Sequence, residues 1–135
     1  MVEFKSQKST IHQPVDQVYN YLSVPANYEI LMPSNVRKFK ALEEGAELDI
    51  QGIGDVHLAF TRKESPNLLE LKPQNKVPFD FDLQWDIKEV DANTTEIQAV
   101  IHAKLNFMMR MMAEKLLKDF LDVQVHKLTQ HLNND

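Results

Sequence analysis

Phe79-Asp80-Phe81-Asp82-Leu83-Gln84-Trp85-Asp86-Ile87-Lys88 alternates apolar and polar side chains without a break. An extended backbone sends successive side chains to opposite faces, so Phe79, Phe81, Leu83, Trp85 and Ile87 share one side and the polar residues the other. This predicts a strand over 79–90 in an antiparallel sheet with one buried and one wet face. Slipping the register by one residue would bury aspartates, so the pattern also fixes which face is inner. Asp91-Ala92-Asn93 turns the chain into a second long strand over 95–105. There Ile97, Ala99, Ile101, Ala103 and Leu105 repeat the apolar face against Gln98, His102, Lys104 and Asn106.

Upstream, four shorter strands are predicted near 36–43, 46–52, 55–64 and 68–73. The turn signals Glu43-Glu44-Gly45, Gly52-Ile53-Gly54-Asp55 and Ser65-Pro66-Asn67 separate them. In 55–64, Val56, Leu58 and Phe60 point inward, and Arg62 continues their register. The chain opens with a strand over 2–11 that ends before His12-Gln13-Pro14. Pro14 is tolerated in a first helical turn, and Val15, Val18, Tyr19 and Leu22 follow with helical spacing, so a short amphipathic helix is expected up to Ser23-Val24-Pro25. The proline-bounded segment 25–33, with Tyr28 at its centre, predicts a helical turn covering one mouth of the sheet.

Downstream, residues 107–132 predict a helix of nearly 40 Å, enough to cross the sheet. Met109, Met112, Ala113, Leu116, Leu117, Phe120, Leu121, Val123 and Leu128 fall on one broad face. Lys115, Lys118, Asp119, Asp122 and His126 fall on the other.

This order, with the entry segment Ile11-His12-Gln13-Pro14-Val15-Asp16-Gln17-Val18-Tyr19-Asn20-Tyr21-Leu22-Ser23 and the pairs Asn27-Tyr28 and Met32-Pro33 after it, resembles the START-like (SRPBCC) superfamily. That superfamily includes polyketide cyclases, pollen-allergen-type carriers, coenzyme-Q-binding proteins and chaperone activators. The resemblance covers essentially the whole chain and implies an α+β helix-grip fold. Its parts are a curved antiparallel sheet of about seven strands around a long C-terminal helix, with two short helices after the first strand. Its motifs place helices and turns and carry no reactive group. The stretch 44–54 holds Gly45, Gly52 and Gly54 but no extended glycine-rich loop, which implies a tighter lid than in lipid-transfer members.

Composition agrees with one domain over residues 1–135. The 135-residue chain is 43% hydrophobic and 26% charged, with a net charge of −5 and no cysteine. Disulfides, thiolate metal sites and cysteine nucleophiles are thereby excluded, and an acidic balance argues against a nucleic-acid footprint. No apolar run approaches the length of a membrane span and the N-terminus does not read as a signal peptide, so the expected location is cytoplasmic.

The chemistry predicted for the inner face is mostly carbon. Phe60, Phe79, Phe81, Leu83, Trp85 and Ile101 would form one wall of a ligand site. Met109, Met112, Leu116 and Phe120 of the helix would form the other, with Tyr28 at the mouth and Arg62 a cation near the open end. Trp85 and Tyr28 each add one donor to a large apolar body. Methionines 108, 109, 111 and 112 offer an adaptable wall or an exposed rim. The competing reading is a filled core, with Arg62 simply reaching water.

No catalytic residue, metal site or cofactor is expected. His126 and His131 stand five apart, His-Glu-x-x-His is absent, and Asp80, Asp82 and Asp86 share the solvent face. Binding of a lipid-like or aromatic small molecule is the first functional expectation. A cyclase, aromatase or dehydratase is the second and would need an internal acid or base. A protein-interaction module is the third, requiring a filled core and a conspicuous outer patch.

Overall fold

The structure, a computed structural model, describes residues 1–134. It runs through β1 (Val2–Lys5), β2 (Ser9–Ile11), α1 (Val15–Leu22), a 3₁₀ helix (Pro25–Leu31), β3 (Val36–Ala41), β4 (Gly45–Ile50), β5 (Gly54–Glu64), β6 (Leu68–Pro73), β7 (Phe81–Asp91), β8 (Thr94–Ala103) and α2 (Phe107–Asn133). The strands form one curved antiparallel sheet in the order β1, β8, β7, β6, β5, β4, β3, with β2 also paired to β8. Sequential hairpins account for β3 to β8, and β1 with β2 returns to close on β8. The long helix α2 lies in the hollow, so the architecture is the predicted α+β helix grip.

Eight strands replace the expected seven because the opening strand is broken at Ser6. The Ser6 N–H donates to the Ala99 carbonyl at 2.8 Å, and its Oγ accepts from the Ala99 N–H at 2.9 Å. A side chain thus continues the ladder where the backbone turns aside. Both backbone groups of Ala99 are thereby paired.

The register of β7 is the one that alternation predicts. Leu83, Trp85 and Ile87 are buried, whereas Asp80 and Lys88 are exposed. Phe81 and Phe79 are only partly buried; Phe79 precedes the strand and packs on Phe81 with the rings tilted at 51° and their centroids 5.7 Å apart. The outer face is less wet than the alternation suggests. Asp86 accepts from the Gln84 amide at 2.6 Å, and Asp82 meets His102 at 2.8 Å.

Gly52 and Gly54 have φ of 94° and 102°, so the β4–β5 hairpin turns through backbone conformations that glycine adopts without a Cβ penalty.

The Asn106 side chain accepts from the Met109 N–H at 2.8 Å and so caps α2. No glycine or proline interrupts the helix up to Asn133. Its buried stripe is Ala113, Leu117, Phe120, Leu121, Gln124, Val125, Leu128 and Leu132. Each fully buried leucine contributes about 1.5–3 kcal/mol of transfer free energy, so this stripe holds the helix in place. Val123, predicted on the buried face, is only half-buried; Gln124 and Val125 occupy the interior instead.

Candidate functional site

Two adjoining apolar voids lie between the inner face of the sheet, the 3₁₀ helix and α2. The first is bordered by Tyr28, Met32, Phe39, Leu48, Phe60 and Leu71, and the second by Ile50, Ile53, Phe81, Ile101, Leu116 and Leu117. Leu58, Leu83 and Phe120 border both. Each encloses a cavity of only ≈ 20 Å³, room for about one water molecule.

Seven of the residues predicted from sequence come together here. Tyr28, Phe60, Leu83 and Phe120 line the first void; Phe81, Ile101 and Leu116 line the second. Tyr28 meets Phe60 edge to face with ring centroids 6.3 Å apart. The Tyr28 hydroxyl donates to the Leu22 carbonyl at 2.6 Å, tying the 3₁₀ helix to the end of α1. Burial pushes this phenol well above its ordinary pKa, with the Trp85 indole N–H beside it acting weakly in the other direction. Its one proton is therefore committed to backbone, and the hydroxyl can only accept from anything entering the void.

The other five predicted residues are placed elsewhere. Arg62 is not inward. A register shift between Phe60 and Arg62 in the β5–β6 pairing reverses the alternation. The exposed guanidinium instead holds Glu64, with Glu70 at 3.9 Å. Phe79 stacks outside the void, for the reason given above. Trp85 is completely buried in packed core and misses both linings. Met109 is half-buried and Met112 is 81% exposed, because the first turns of α2 project beyond the end of β8 and find no strand beneath them. Phe107, Met108 and Met111 are likewise exposed, so this end of the helix is an apolar outer rim.

Several lining residues were not singled out for the site in the sequence, among them Met32, Phe39, Leu48, Leu71, Ile50, Ile53 and Leu117, and one of those not singled out is polar. Gln124 is 1% exposed, borders the first void, and neither its amide oxygen nor its amide nitrogen has a hydrogen-bond partner. Leaving such a group unpaired costs about 1–3 kcal/mol. The signal for it was its place in the heptad-like stripe, four residues after Phe120 and four before Leu128. No charged side chain lines either void.

His102 stands on the opposite, outer face. Its Nδ1 lies 2.8 Å from Asp82 and its Nε2 3.0 Å from Glu3, joining β7, β8 and β1. The hydrogen bond to Asp82 raises its pKa most, Glu3 adds to this, and partial burial opposes it. Among the described residues no three His, Asp or Glu side chains are placed to hold a metal ion. None of the described helices is long and apolar enough to cross a membrane.

No protein-family model matches the chain, and no curated protein matches it. Solved structures do. The di-domain ARO/CYC BexL from the BE-7585A biosynthetic pathway superposes with a TM-score of 0.75 at 13% identity, covering 96% of this chain and 46% of that one. A point mutant of norcoclaurine synthase from Thalictrum flavum gives 0.76 at 9% identity, covering 97% and 94%. A START superfamily protein from Mycobacterium smegmatis gives 0.69 at 12%, covering 98% and 97%. At such identities the likeness is one of backbone architecture, and together with the sheet order and the enclosed α2 it establishes that the chain has the START-like helix-grip fold.

Proposed function

We propose that the protein binds a small apolar molecule between the inner sheet face and α2. The observation that carries this reading is the pair of adjoining apolar voids, walled by both layers of the fold and joined through Leu58, Leu83 and Phe120. As they stand, the crevices admit little more than water. Phe120 is the helix side chain common to both, and its rotation would merge them into one chamber bounded by aromatic and aliphatic carbon. Apolar area buried there would supply roughly 25 cal/mol per Å² of ligand surface.

Two of the solved neighbours carry the names of an aromatase/cyclase and a synthase. A reaction of either kind needs proton transfer at a positioned group. The linings contain no carboxylate, histidine, lysine or arginine, and the Tyr28 proton is held by Leu22. Binding without turnover is therefore the better reading.

The test uses the neutral probe N-phenyl-1-naphthylamine. Its fluorescence should rise on adding the protein. The variant Leu58→Phe, which fills space shared by both voids, should remain folded and bind at least tenfold more weakly. Unchanged affinity in folded Leu58→Phe would place the probe elsewhere and sink the reading.

A further inference from the structure

Among the described residues that line the two voids, Gln124 is the one whose buried side-chain polar atoms have no partner; the unpaired Trp85 Nε1 and Asn35 Oδ1 lie outside the lining. Its carboxamide offers one acceptor and two donors in a plane, both kinds are unpaired, and the side chain is buried at the boundary of the first void. The neighbouring Tyr28 hydroxyl has no proton to offer, since it donates to Leu22. A charged head group has no place here, because no cation or anion borders the void and an unpaired buried charge is strongly disfavoured. An ether only accepts and leaves the amide oxygen unpaired, and a hydroxyl, though it both donates and accepts, presents both functions from a single atom and cannot make two parallel bonds in the carboxamide plane. A planar group with N–H and C=O side by side satisfies both at once.

We infer that Gln124 is the polar anchor of this site, and that its ligand carries on an apolar body a neutral amide-type head, a primary amide, lactam or imide, with donor and acceptor adjacent. This rests on the ligand-binding reading above and adds the chemical class to it. Specificity then comes from the amide pair and affinity from the aromatic and aliphatic walls. A site with a buried donor and acceptor discriminates strongly against an analogue lacking them, since its own groups stay unpaired.

The experiment compares 2-naphthamide with 2-methylnaphthalene, matched in shape, on the wild type and on Gln124→Met, which keeps the length of the side chain and removes its polar atoms. Binding is read by calorimetry and by the Gln124 side-chain amide resonances, assigned as the pair missing from the variant. Wild type should bind both, with 2-naphthamide shifting the Gln124 amide signals. Gln124→Met should lose at least tenfold for 2-naphthamide, keep its affinity for 2-methylnaphthalene, and melt no lower than wild type. Equal affinity changes for the two probes, or none, would mean that Gln124 is satisfied by water alone; the inference then falls while the binding site stands. If neither probe binds wild type, the binding-site reading fails and the inference fails with it.

Discussion

The two ends of α2 use the same kind of residue to opposite effect. From Ala113 to Leu132 the helix buries a continuous stripe, and Leu121 and Leu128 are completely inaccessible. From Phe107 to Met112 it is more apolar still, yet Phe107, Met108, Met111 and Met112 are 69–81% exposed. The difference lies in what is underneath. β8 ends at Ala103 and its partner β1 begins at Val2, so the sheet stops before the first turns of the helix start. Hydrophobicity sets a tendency to be buried, and only a facing surface turns that tendency into stability.

The sharpest way to break this comparison is truncation along the helix. Leu121→Ala and Leu128→Ala should each cost about 2–5 kcal/mol in urea denaturation, because each leaves a cavity in packed core. Met112→Ala should cost under about 0.5 kcal/mol. A Met112 cost matching that of Leu121 would mean that the first turns are packed after all.

Phe120→Ala tests the middle of the helix. Its side chain is buried but borders both voids, so part of its surface has no packing partner to lose. It should cost less than Leu121→Ala although the side chain is larger, and it should raise affinity for N-phenyl-1-naphthylamine by enlarging the chamber. Lower affinity on loss of Phe120 would make it a ligand contact instead of a partition.

The smallest effect belongs to the margin where the sheet runs out. His102, one residue before the end of β8, is held there by Asp82 and Glu3, which keep its pKa above the ordinary 6.5. A raised histidine pKa gives stability that is complete below the unfolded value and disappears as pH climbs through the folded one. Glu3, lowered chiefly by its hydrogen bond to His102, adds stability above the ordinary 4.5 and loses it as pH falls through its folded value. The latch is therefore tightest between the two. Unfolding free energies measured from pH 4 to 9 should show wild type losing ground to His102→Gln on the alkaline side, and parallel profiles would refute the latch.

The sheet and both helices were legible in the sequence because alternation and helical spacing are local signals. β7 announced its register, and Val15, Val18, Tyr19 and Leu22 announced α1. What escaped detection depended on partners. Strand parity points Arg62 inward, and the bulge that reverses it leaves no mark in the residues of β5. The break at Ser6 has no glycine or proline to announce it, since a serine hydroxyl does the work of a backbone group. Met109 and Met112 share a face with Leu116, but periodicity identifies a face and not where its support ends. Gln124 is polar, yet its spacing from Phe120 and Leu128 places it inside.

The two ends of the chain are stitched together. The Gln13 side chain donates to the Leu132 carbonyl at 2.5 Å, the His12 N–H donates to Asn133 at 2.8 Å, and the Ser9 hydroxyl donates at 2.8 Å to the Thr129 hydroxyl, whose own proton goes to the Val125 carbonyl. β1 in turn pairs only with β8, Val2 lying opposite Ala103. A nascent chain therefore makes its first strands long before their partners exist. At roughly 5–20 residues per second, β1 and β2 wait on the order of 5–25 s during synthesis before the last turns of α2 emerge. The β3–β8 meander has all its partners first, β1 and β2 can pair once β8 is made, and α2 closes on them afterwards.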